Sequence, residues 1–355
     1  MKKTVLFSGN EAMGEAAIRA GLKFYAGYPI TPQNELTAYM ASELPARGGI
    51  FIQSESELAA INMVFGASAG GTRAMTSSSS PGISLKQEGI SYISGAQLPA
   101  VVINVMRAGP GLGNIWPAQS DYFQATKGGG HGDYRLIVLA PASVQESYDL
   151  TRLAFELADR HRMCVMVLSD GILGQMMEGL TLDDAQGPLP LVEKPWALTG
   201  CQGREPNVVC SLYMKRMDVE KHNLFLQKKY LRVQAREPRF AEFLMEDARL
   251  AVVAYGSMAR IAESVVRKLR AKGKKIGLFR PVTLWPFPSR HLAQRAARVK
   301  KFLVAEMSYG QMVEDVRLSV AGAAQVGFYG RSGGGIPTES QLEGAILKLW
   351  EKGRR

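Results

Sequence analysis

The chain reads as an α/β protein with two parallel-sheet domains, the larger first. Three observations predict this. Short apolar runs at residues 5–7, 23–26, 50–53, 73–76, 100–106, 136–139 and 164–168 alternate with helical stretches at 11–20, 57–69 and 144–159. Strands alternating with helices of this length imply a mostly parallel sheet covered on both faces. The alternation then lapses between about 171 and 247, where Gly187-Pro188, Pro190, Pro195, Gly200, Gly203 and Pro206 break any long element. It resumes with a strand at 250–254, Gly256-Ser257, a helix at 260–272, strands at 275–279 and 301–305, and a helix at 311–321. The expected division is residues 1–175, a connector at 176–247, and residues 248–355. Gly333-Gly334-Gly335 reads as a turn before a last helix that starts near Pro337-Thr338 and ends in Lys352-Gly353.

Composition narrows the class. Of 355 residues, 46% are hydrophobic and 21% charged, normal for a globular protein with a sizeable core. No apolar run approaches the ~18 residues of a membrane helix. Met1-Lys2-Lys3 leads into a strand and not a signal-peptide core, so a cytoplasmic location is expected. Cys164, Cys201 and Cys210 are too few and too scattered for a disulfide framework, a zinc site or an iron–sulfur cluster on this chain. No metal site is expected here; any such metal would sit on a partner.

The net charge of +11 invites a nucleic-acid reading. Its distribution argues otherwise. Lys215, Arg216, Lys221, Lys228, Lys229, Arg232, Arg236 and Arg239 crowd one segment, together with Leu224, Phe225 and Leu231. This is the pattern of an amphipathic connector helix with a solvated face, suited to an acidic protein partner or simply to solubility.

Sites in parallel α/β folds lie at the carboxyl ends of the strands, and four loops there carry candidate chemistry. In Gly27-Tyr28-Pro29-Ile30-Thr31-Pro32, two prolines bracket a hydroxyl. Thr31 is expected as a helix N-cap with the N–H groups of Gln33 and Asn34 beside it, a place for a carboxylate or an ordinary capped helix. Gln53-Ser54-Glu55-Ser56-Glu57 ends a strand in two carboxylates, either functional or simple helix-start charges. Thr76-Ser77-Ser78-Ser79-Ser80-Pro81-Gly82 is a hydroxyl-rich loop that opens a helix or is merely flexible. Arg107 follows the strand at 101–106 and precedes Ala108-Gly109-Pro110-Gly111-Leu112-Gly113; it can hold a carboxylate bidentately or make a surface salt bridge.

These segments, with Gln87-Glu88 and the runs Arg280-Pro281-Val282-Thr283-Leu284-Trp285-Pro286 and Glu306-Met307-Ser308-Tyr309-Gly310-Gln311, resemble the alpha subunit of 2-oxoacid:ferredoxin oxidoreductases, in order along nearly the whole chain. The likeness is nearest to the 2-oxoisovalerate (branched-chain) type. It implies a thiamine-diphosphate-binding, pyrimidine-gripping domain followed by a smaller transketolase C-terminal-like domain. It also implies a beta subunit carrying the diphosphate–Mg2+ site and a 4Fe-4S cluster, with gamma and ferredoxin-like delta subunits as separate polypeptides and ferredoxin as electron acceptor. Ser169-Asp170-Gly171 looks superficially like the start of a diphosphate motif, but the paired asparagines that should follow are missing, and it reads as a strand end.

By the family pattern Glu57 is the catalytic glutamate, hydrogen-bonded to ring nitrogen N1′, a kind of acid–base help worth about 10²–10⁴ in rate. Thr31 and Arg107 would bind the substrate carboxylate. Tyr28, Pro29, Ile30, Glu55, Ser80, Pro81 and Gly82 would line the cofactor. The reaction implied is oxidative decarboxylation of a 2-oxoacid to acyl-coenzyme A and CO2. The loop after Arg107 offers Leu112, Asn114, Ile115 and Trp116 and no second cation until Lys127. A buried unpaired carboxylate is costly, which favours an apolar side chain such as that of 2-oxoisovalerate over 2-oxoglutarate. His131, in the loop from Gly128 to Asp133, is expected to be structural. Two further readings are the beta component of an NAD-linked 2-oxoacid dehydrogenase and an assembly subunit without catalytic function.

Overall fold

The computed structural model describes residues 2–183 and 185–352. Its first sheet has seven strands in the order Thr283–Trp285, Ile137–Leu139, Cys164–Asp170, Ala100–Met106, Ala74–Ser78, Phe24–Gly27, Ile50–Gln53. Thr283–Trp285 runs antiparallel to Ile137–Leu139, and the other pairs are parallel. Ala100–Met106 and Cys164–Asp170 are buried at every position, as strands covered on both faces must be. The helices Ser80–Gly95 and Val144–His161 supply part of that cover. The second sheet runs Gln325–Gly330, Lys301–Glu306, Leu250–Val253, Ile276–Pro281, Phe240–Phe243, parallel except for its last strand. No helix among the described residues is long and apolar enough to cross a membrane.

Several elements differ from expectation. Residues 5–7 belong to Lys2–Ser8, which pairs antiparallel with Met177–Asp183 in a separate two-stranded ribbon. Most of its residues face solvent, and a strand beginning Lys-Lys-Thr cannot enter a sheet buried on both faces. Met177–Asp183 is itself a strand inside the segment read as a connector. The connector helix exists as Arg216–Arg236, but its buried stripe is Leu226, Tyr230 and Val233, at i, i+4 and i+7, while Leu224, Phe225 and Leu231 are exposed. Thr283–Trp285, expected within the second unit, adds to the edge of the first sheet, where Trp285 meets Tyr230 edge to face. The last helix is Glu339–Glu351, started by a capping box between Thr338 and Gln341; its predicted end at Gly353 lies outside the described residues.

Hydrogen bonds cross the seam between the units at several points, and the main apolar cluster runs through it. The buried Asp170 carboxylate accepts from the N–H groups of Ile172 and Leu173 on its own side and from both the N–H and the hydroxyl of Ser257 across it. Burial raises its pKa against those bonds. Gln119 accepts from the Met307 N–H and donates to the Tyr255 carbonyl, and Tyr122 donates to Asp315.

Candidate active site

Phe24–Gly27, Ile50–Gln53, Ala74–Ser78 and Ala100–Met106 are neighbours in the sheet, so their carboxyl ends deliver Tyr28–Pro32, Glu57, Ser79–Gly82 and Arg107 to one edge. Ser56 caps the helix Glu57–Ala69 by accepting from the Ala59 N–H, which fixes Glu57 in the first turn. Glu57 is buried, whereas Glu55 is exposed and accepts a hydrogen bond from Ser56. The Glu57 carboxylate lies against Gly82: a Cβ there would stand 2.4 Å from Glu57 Oε1 and 2.0 Å from Ser78 Oγ. Glycine at 82 is what lets the carboxylate and that helix start meet.

Thr31 is placed differently from expectation. The helix is Asn34–Ala46, with Gln33 at its N-cap and no side-chain cap. The Pro32 carbonyl is held by Asn10, and the Gln33 N–H closes a turn onto the Ile30 carbonyl, so that donor is spent. The Thr31 hydroxyl accepts from the Asn34 side chain instead of capping. Gln33 turns inward, where its Oε1 accepts from Ser77 and Thr37. Tyr28 and Pro29 are exposed at the rim and Ile30 is half-buried.

Arg107 is buried and held by carbonyls. Its guanidinium donates to Thr31 O at 3.0 Å and to Leu112 O at 3.2 Å, which leaves buried Nε with no partner. Arg107 and Thr31 are thereby in contact. The Arg107 N–H donates to Ser80 Oγ; Ser80 Oγ donates to Asp121, and the Ser80 N–H donates to Asn104 Oδ1. Ser78 Oγ, Ser79 Oγ and Gln87 Nε2 are also buried and unfilled. Leu112, Ile115 and Trp116 are exposed at the mouth. His131 is exposed; its carbonyl accepts from Ser91 and its ring meets Tyr92 edge on.

The sequence reading missed Lys86. It is fully buried, its ammonium donates to the Glu57 main-chain carbonyl at 3.2 Å, and burial pushes its pKa down to about 7 against the pull of the Glu57 charge. The signal was available: Ile83, Lys86, Gln87 and Ile90 share one helical face, and two of them are apolar core residues.

The buried Glu57 carboxylate, with the unfilled Ser78 hydroxyl beside it, suits a ring nitrogen and amine such as an aminopyrimidine carries. A carbonyl-held arginine with a spare N–H fits a carboxylate. Among the described residues, no group of three or more His, Cys, Asp or Glu could hold a metal ion.

Such an edge has the makings of an α/β enzyme site with room for a heteroaromatic ring beside a carboxylate. The chain matches the family described as pyruvate flavodoxin/ferredoxin oxidoreductase, thiamine diphosphate-binding, over residues 15–217, and pyruvate:ferredoxin oxidoreductase core domain II over residues 248–342; it belongs to this family. It is 49% identical over 334 residues to the ketoisovalerate oxidoreductase subunit VorB of Methanothermobacter thermautotrophicus, covering 94% of each chain. It is 36% identical to the 2-oxoglutarate synthase subunit KorA of the same organism, covering 98% of this chain and all of that one. Among solved structures, a 2-oxoglutarate:ferredoxin oxidoreductase from Magnetococcus marinus with 2-oxoglutarate, coenzyme A and succinyl-CoA bound superposes with a TM-score of 0.85 at 26% identity. That match covers 98% of this chain and 65% of the longer one.

Proposed function

We propose that this alpha-type subunit holds the aminopyrimidine half of thiamine diphosphate and the carboxylate of a branched-chain 2-oxoacid, for oxidative decarboxylation to an acyl-coenzyme A. The observation that carries the reading is the buried Glu57 carboxylate set against Gly82 beside the unfilled Ser78 hydroxyl. When bound, thiamine diphosphate supplies the nucleophile for the 2-oxo carbon and the sink for the electrons left by CO2. Glu57 holds the proton at ring nitrogen N1′. Arg107, steadied by the Thr31 and Leu112 carbonyls, and the Thr31 hydroxyl bind the substrate carboxylate. Ser80, Pro81, Gly82, Glu55, Tyr28, Pro29 and Ile30 form the cofactor wall and rim, several of them completed by a partner.

We assign the diphosphate, Mg2+ and a 4Fe-4S cluster to a beta subunit, with gamma and ferredoxin-like delta subunits and ferredoxin completing electron transfer in the cytoplasm. Residues 1–175 and 248–355 act as the two functional units around the connector at 176–247, with Met177–Asp183 of the connector and Thr283–Trp285 of the second unit packed onto the first. A branched-chain substrate is supported by the apolar mouth at Leu112, Ile115 and Trp116. Lys127 is already paired with Asp315, so it is not free for a second substrate carboxylate. The ketoisovalerate name of the 49% identical relative points the same way.

The test is the co-purified complex offered 2-oxoisovalerate, 2-oxoglutarate and pyruvate with coenzyme A and viologen. The highest kcat/KM is expected with 2-oxoisovalerate. Preference for 2-oxoglutarate would refute the substrate, and obligatory NAD reduction through a lipoyl carrier would refute the class.

A further inference from the structure

Asp121 occupies the N-cap position of the short helix Tyr122–Thr126 but does not cap it. A carboxylate there ordinarily accepts from the backbone N–H two or three residues on. Asp121 turns away instead, and its Oδ2 accepts from Ser80 Oγ at 2.7 Å and from Asn104 Nδ2 at 2.9 Å. The N–H it leaves behind is not orphaned. Gln311, from the second unit, accepts from the Phe123 N–H at 2.8 Å and donates to the Ser120 carbonyl at 2.7 Å. Gln311 is itself fixed: buried Glu306 accepts from the N–H groups of Gln311, Met312 and Val313.

A chain of hydrogen bonds therefore runs from the second unit into the site. From Gln311 it reaches the 120–123 turn, then Asp121, then Ser80 and Asn104, and through Ser80 Oγ the backbone of Arg107. Burial raises the Asp121 pKa while its bonds from Ser80 and Asn104 oppose the rise.

We propose that Gln311 is a positioning residue for the carboxylate-binding arginine: by capping the helix Tyr122–Thr126 from the second unit, it frees Asp121 to lock Ser80, Asn104 and the Arg107 backbone. Without Gln311 the Phe123 N–H loses its partner, and Asp121, which makes no cap bond in its present orientation, can meet it only by turning from the geometry that serves Ser80 and Asn104. The losses on either side are comparable, so Asp121 divides between them and Arg107 loosens. Docking of the second unit thus sets the grip on the substrate. This rests on the assignment of Arg107 to the substrate carboxylate.

The experiment uses the assembled complex carrying Q311A, with Q311M as the variant that keeps side-chain bulk. The KM for 2-oxoisovalerate should rise roughly tenfold, short of the ~10²-fold that a 1 Å misplacement costs, with kcat and thiamine diphosphate affinity within about twofold of wild type. Calorimetric binding of 2-oxoisovalerate to the thiamine-free complex should weaken by the same factor. D121N should reproduce the effect, and Q311A/D121N should be no worse than D121N alone, because the two act in series. Multiplying effects in the double variant, an unchanged KM, an equal loss of thiamine diphosphate affinity, or failure of both Q311A and Q311M to assemble would each overturn the proposal. An unchanged KM in R107A would instead refute the underlying assignment of Arg107.

Discussion

Replacing Gly82 with alanine puts a methyl carbon 2.0 Å from Ser78 Oγ and 2.4 Å from Glu57 Oε1, where ordinary contact begins at 3.4 Å. Something must move by about 1 Å on each side. The Ser78 hydroxyl can rotate about one bond, and the Glu57 carboxylate, at the end of a flexible side chain, retreats more easily than the backbone of either helix. The stability cost should therefore sit at the low end of the ~1–3 kcal/mol range for overpacking, leaving the complex folded. Catalysis is less forgiving, because a displacement of about 1 Å in a positioned group costs on the order of 10²-fold in rate. The assay is coenzyme-A-dependent viologen reduction by the G82A complex, paired with its melting temperature and thiamine diphosphate affinity. A rate near wild type in a normally folded G82A complex would show that the Glu57 carboxylate does not act where it lies, and would refute the reasoning.

E57Q should fold and assemble normally while losing about 10²–10⁴ in turnover; wild-type turnover would remove Glu57 from the chemistry. R107A should raise the KM for the 2-oxoacid roughly 10–100-fold, the value of charge-assisted hydrogen bonds of about 1.5–3 kcal/mol, and a change confined to kcat would contradict carboxylate binding. Lys229 donates to Gln97 and the Arg162 carbonyl, and burial and the Arg162 charge push its pKa down to about 7, as burial does for Lys86. Between about pH 7 and 10 the unfolded chain then binds more protons than the folded one, so stability should rise with pH by roughly 1 kcal/mol per unit for each lysine. Denaturation midpoints across that range should rise less in K229M, and an unchanged slope would contradict its burial. Alkylation of the folded chain at mildly alkaline pH should label exposed Cys201 and Cys210 and spare Cys164, whose thiol burial pushes up to about 12; mass spectrometry locating an adduct on Cys164 would count against the packing around it.

Much of this architecture could be read from apolar periodicity, because a strand buried on both faces leaves a continuous hydrophobic run and its carboxyl end announces a loop. Arg107 stands at such a run's end, and Glu57 and Ser80 each open the helix that follows a strand, which is where the sequence places them. What stayed hidden were contacts between residues far apart in sequence: Asp121 with Ser80, Gln311 with Phe123, Arg107 with the Thr31 carbonyl. Periodicity reports that a side chain is buried and is silent on its partner. Thr31 reads as a cap because its two flanking prolines mark a turn and a helix start alike, and it is the Gln33 N–H bond to the Ile30 carbonyl that carries the turn one residue past Pro32. Lys86 stays hidden because a lone lysine within a helix reads as surface until its face is matched to Ile83 and Ile90.

The strand Thr283–Trp285 makes the connector a poor place to cut the gene. A fragment ending at residue 247 would leave Ile137–Leu139 as an open sheet edge of three buried apolar residues, a template for pairing with other chains. It would also lose Thr283 Oγ1, which accepts from the Arg239 N–H at the end of the connector. The complementary fragment would carry Trp285 without the Tyr230 ring it packs on. Two halves that look separable on the printed sequence share a sheet edge as well as a seam, and a division of labour between them would have to be made with point substitutions, not with truncation.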